Sequence, residues 1–115
     1  MTNVIQKENV QFIEYLLNYI NPTLILKHAA TRGSLNIIRH FYDVIDEVMA
    51  KYLIDQITMS GDSMKIINYL LNLYPALINN SNINKWIDNR RTTLYYRRIP
   101  TTNDDIFKYL ESLIK

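Results

Sequence analysis

At 115 residues, with 48% apolar and 21% charged side chains and a formal charge of +2, the chain has the makeup of one soluble globular domain. Two glycines and three prolines are too few for the turns of an all-β sandwich or for a glycine-rich phosphate loop, and the lack of cysteine excludes disulfides, thiolate zinc sites and a cysteine nucleophile. No apolar run reaches membrane-spanning length and the first residues lack a signal-peptide pattern, so a cytoplasmic location and no membrane partner are expected.

Along the chain, hydrophobic periodicity predicts helices near 3–20, 23–32, 35–45, 47–60, 63–73, 82–91 and 103–114. One short pattern recurs. It reads Phe12-Ile13-Glu14-Tyr15-Leu16-Leu17, then Ile37-Ile38-Arg39-His40-Phe41-Tyr42, then Ile66-Ile67-Asn68-Tyr69-Leu70-Leu71, then Ile106-Phe107-Lys108-Tyr109-Leu110. Positions one, two, five and six share a helix face that buries against neighbours, and the third points to water. Copies follow one another at 25, 29 and 40 residues, a spacing suited to helix pairs. Gly33 and Gly61 precede the second and third copies, where a left-handed C′ residue is expected. Ser34, Asp62 or Ser63, and Asn103 offer oxygens as N-caps. The stretch 92–99 reads as an extended loop, a hairpin arm or a helical extension.

Leu26, Ala29, Ala30, Gly33, Leu35, Ile37, Ile38 and Phe41 together resemble one ankyrin repeat. The small alanine pair in such repeats lets an inner helix approach its neighbour. The match is good over about 16 residues and fair over about 70. In the next copy the pair becomes Ile57-Thr58, the family's Thr-Pro opening is replaced by Leu24-Ile25, and residues 90–102 stand as an insertion. The resemblance is to degenerate ankyrin-type repeats in multigene families of large AT-rich DNA viruses. It implies an all-α short solenoid of helix-turn-helix repeats, in one domain with approximate repeats 1–21, 22–46, 47–74 and 75–115. It also implies a noncatalytic module whose partner is a host or cellular protein.

The residues themselves show little chemistry. His28 and His40 lack the further ligands a metal site needs. Asp43, Asp46 and Glu47 read as a solvated helix end leading into the next N-terminus. No nucleophile elbow or phosphate loop is visible, so no catalytic residue, metal or cofactor is expected. The departure from this is the window 85–98. Lys85, Arg90, Arg91, Arg97 and Arg98 face one acid, Asp88, and interleave with Trp86, Tyr95 and Tyr96. Three readings remain: Trp86 in the core with arginines solvated or paired to Asp104, Asp105 and Glu111; a protein-binding surface; or a nucleic-acid or other polyanion site. Protein contact is the favoured function. Its candidate residues are His28, Arg32 and Arg39 around the best-formed repeat, and Arg90, Arg91, Tyr95, Tyr96, Arg97 and Arg98 in the late segment. Uncovered faces at the ends of a short solenoid leave self-association open.

Overall fold

The computed structural model describes residues 21–114, and every regular element among them is helical. The expected helix 3–20, with the motif copy at 12–17, lies outside the described residues.

Helix α1 (Pro22–Arg32) starts where Pro22 presets the first turn and the Asn21 side chain accepts from the Thr23 N–H at 2.8 Å. It ends at Gly33, whose φ of 81° turns the chain as expected. Helix α2 (Leu35–His40) is shorter than the expected 35–45. A 3-10 turn, Tyr42–Val44, follows it, and extended Ile45 sends its side chain into the core. Two β-branched residues, Val44 and Ile45, and the N-cap at Asp46 together favour ending the helix early.

Asp46 opens α3 (Glu47–Ser60) by accepting from the Met49 N–H at 2.7 Å. Ser63 caps α4 (Met64–Leu73), Asn79 caps α5 (Asn80–Arg97), and Asp104 caps α6 (Asp105–Ser112). Three local expectations are corrected. Gly61 is extended, not left-handed, with φ −120° and ψ −174°. Ser34 makes no side-chain cap bond to α2, and the cap of α6 is Asp104 instead of Asn103. Of the readings open for 92–99, the helical extension holds through Arg97: α5 runs unbroken from Asn80, so much of the 90–102 insertion is helix.

Helices α1, α3 and α5 pack in series, α3 in the middle. They run parallel. Thr23 and Met49 line one cleft at the starts of α1 and α3, and Thr31 meets Gly61 at their ends. Between α3 and α5, Trp86 reaches Asp55, Asn89 reaches Thr58, and Thr93 reaches the carbonyls of Thr58 and Met59. Helix α2 packs on α1 and on α4, α4 packs on α3, and α6 closes against α5.

The repeated pattern fills the space between them. Ile37, Ile38, Ile66, Ile67, Leu70, Ile106 and Leu110 are each at most 2% exposed. Tyr42 fails the sixth position because α2 has already ended, and it is exposed. Ala29 and Ala30 are fully buried on α1. Gly61 allows the close approach there: a Cβ on it would lie 3.2 Å from Thr31 Cα.

Candidate interaction surface

The late basic window is built on α5. Its polar residues are divided between two faces, which explains why a simple apolar stripe does not mark the helix. Arg90 is 1% exposed, and Trp86 and Leu94 lie on the same buried side. The Arg90 guanidinium donates from Nε and Nη2 to both oxygens of Asp104 at 2.9 and 2.8 Å. Its Nη2 also donates to Asp62 at 2.8 Å and its Nη1 to the Gly61 carbonyl at 2.7 Å. Such planar bidentate pairing suits arginine and not lysine. Among the described residues no buried side-chain nitrogen or oxygen lacks a partner.

Electrostatics follow from this geometry. Burial by itself raises the Asp104 carboxyl, but hydrogen bonds from Arg90 and the Phe107 N–H outweigh it, so its pKa is lowered. Burial also raises Asp62, and bonds from Arg90 and Arg97 likewise bring the net pKa down. For Arg90 burial opposes the charge and its two carboxylates more than restore it. Arg90 is therefore removed from the candidate contact residues: it is a buried link and touches no surface.

The other bases of the window are mostly compensated. Lys85 Nζ lies 3.1 Å from Asp55, which also accepts from the Trp86 indole N–H at 2.6 Å. Arg91 pairs with Asp88 at 3.1 Å and stands 5.6 Å from the Phe107 ring centre. Arg97 pairs with Asp62 at 2.7 Å. Among the described residues Arg98 has no ion pair. It caps α5 in the left-handed region, φ 58° and ψ 40°.

What remains open to solvent is aromatic. Tyr95 and Tyr96 are 77% and 78% exposed, and their rings meet edge to face at 5.6 Å. They sit in the last turn of α5, past the level at which Thr93 meets the end of α3. Tyr96 and Arg97 border a cleft of about 410 Å³ with Met59, Asn89, Thr92 and Thr93. Met59, 44% exposed, extends the apolar surface beside Tyr96. It carries no sequence signal for contact, because it is one ordinary apolar residue at a helix end.

The remaining candidates lie elsewhere. His28 is half-buried on α1 and Arg32 is exposed in its last turn. Arg39 lies on α2, its guanidinium 5.8 Å from the Tyr69 ring centre. The structure thus gathers Tyr95, Tyr96, Arg97 and Arg98 at the end of α5, sets Arg91 earlier in the helix against α6, and does not bring His28, Arg32 and Arg39 to them. Among the described residues no three of His, Cys, Asp and Glu are grouped to hold a metal, and no helix is long and apolar enough to cross a membrane. Comparison with protein-family models, with curated proteins and with solved structures yields no match, so the candidate surface stands on its geometry alone.

Proposed function

We propose that the chain is a noncatalytic protein-interaction module of the ankyrin-like, helix-pair type, and that the C-terminal end of α5 is its contact surface. Serial packing of parallel α1, α3 and α5 supports a short solenoid reading. The observation that carries the contact surface is the exposure of Tyr95 and Tyr96 side by side. Two large rings gain nothing for the fold when left in water, whereas tyrosine flanked by arginine is the composition of binding hot spots. The helix beneath them is fixed by Arg90 and Thr93, so little order remains to be lost on binding. A polyanion site is less well supported, because Lys85, Arg90, Arg91 and Arg97 are each already paired with a carboxylate.

The test compares wild type with Tyr95→Ala/Tyr96→Ala in crosslinking capture from cell lysate, with thermal melts of both. The expected outcome is a specific captured protein that is lost with the variant while the melting temperature holds. Equal capture by both, or displacement of the captured species by a single-stranded oligonucleotide, overturns the reading.

A further inference from the structure

Outside that surface, the outer helices α2 and α4 enclose an open groove of about 700 Å³. Leu35 and Arg39 line it from α2, and Lys65, Asn68, Tyr69 and Asn72 from α4. The four α4 residues stand at i, i+3, i+4 and i+7, one continuous face. They lie opposite Ile66, Ile67, Leu70 and Leu71, all buried in the core. Tyr69 leans on the edge of the core, while Lys65 and Asn72 are exposed and Asn68 half-buried, so the polar side chains of this face are not used in the packing of the helix.

The groove carries two cations and no carboxylate. Asp62, the acid nearest Lys65 in the chain, is taken by Arg90 and Arg97 at 2.8 and 2.7 Å. Among the described residues neither Arg39 nor Lys65 has an ion pair. The Tyr69 ring holds the Arg39 cation at the groove wall without consuming its N–H donors. Asn68 and Asn72 make no side-chain hydrogen bond to the described residues. Each carboxamide offers one acceptor and two donors, the complement of a peptide group.

Spacing selects the ligand. Asn68 and Asn72 are one turn apart, about 6 Å along the axis. Alternate peptide groups of an extended chain repeat every ~6.7 Å. One face of the Tyr69 ring is already covered by Arg39, which leaves it a poorer platform for a nucleic-acid base. We propose that the α2–α4 groove binds an extended acidic segment of a partner protein. Its carboxylates meet Arg39 and Lys65, and its backbone meets Asn68 and Asn72. This site is independent of the α5 surface.

The experiment is a 15N-resolved NMR titration of the full chain with a terminally blocked hexapeptide alternating Glu and Ala. Its Lys–Ala counterpart, inorganic phosphate and a short oligothymidylate are the comparison ligands. The acidic peptide is expected to shift the side-chain amide signals of Asn68 and Asn72, and the Lys–Ala peptide to leave them unmoved. Arg39→Glu/Lys65→Glu, at exposed positions, is expected to weaken binding at least about tenfold. Tyr95→Ala/Tyr96→Ala is expected to leave it unchanged, which separates this site from the α5 surface. The proposal is overturned by unmoved Asn68 and Asn72 signals in wild type, by equal affinity in the charge-reversed variant, or by tighter binding of phosphate or oligothymidylate in the groove.

Discussion

Single residues here carry disproportionate weight, and Arg90 carries the most. With its side chain 2% exposed and Asp104 12% exposed, this is a buried ion pair; Asp62, at 69%, is a surface partner. Removing the buried carboxylate leaves the buried cation only exposed Asp62 and the Gly61 carbonyl, so Asp104→Asn is expected to cost about 3 kcal/mol in urea denaturation. Asp62→Asn is expected to cost less than ~1 kcal/mol. Both carboxyls have pKa values lowered on folding, so their contribution is full above the usual carboxylate range near pH 4 and is lost as pH falls through the folded values. Wild-type melting temperature should therefore drop below pH 4 more steeply than that of Asp104→Asn. Equal slopes would show that the pair does not govern acid stability. At Arg98 the sign reverses. A left-handed non-glycine residue is strained, and glycine relieves the clash, so Arg98→Gly should stabilise by roughly 0.5–1 kcal/mol, measured by the same denaturation.

Elements were legible in the sequence to the degree that their buried face is apolar. Helix α3 matches its expected span, 47–60, and α4 begins one residue later than expected. Periodicity marks α5 only over 82–91, with a helical extension one of three readings of 92–99, because its core side includes Asn82, Arg90 and Thr93 and because Thr92, Thr93, Tyr95 and Tyr96 favour strands. Tertiary bonds override that preference. The Thr93 hydroxyl donates within reach of the Thr58 and Met59 carbonyls, and Arg90 ties the helix to the start of α6. Gly61 matters for its size and not for the left-handed turn its position suggests. Its backbone conformation suits other residues, but its missing side chain makes room for α1. Gly61→Ala must push Thr31 away and is expected to cost about 1–3 kcal/mol, read from the denaturation midpoint. No change would mean that α1 yields freely. The exposed tyrosines were legible as candidates from composition, while the groove residues Lys65, Asn68 and Asn72 were not, since a polar stripe is also what any solvated helix face presents.

Across the whole molecule, packing order predicts a gradient of local stability. Helix α3 is flanked by α1 and α5 and contributes Ala50, Leu53, Ile54 and Ile57, all fully buried. Its amides should exchange most slowly, close to the global unfolding rate, and those of α6, which closes only one side, should exchange faster. Equal protection of α3 and α6 would indicate one indivisible unit. The pairing of Arg90 has a further result for biosynthesis. Asp62 and Gly61 leave the ribosome before Arg90, but Asp104 leaves after it. The guanidinium can be half-satisfied early and fully enclosed only once Asp104 has emerged, so this link closes after α5 is made, and interruption before residue 104 leaves that cation without its second carboxylate.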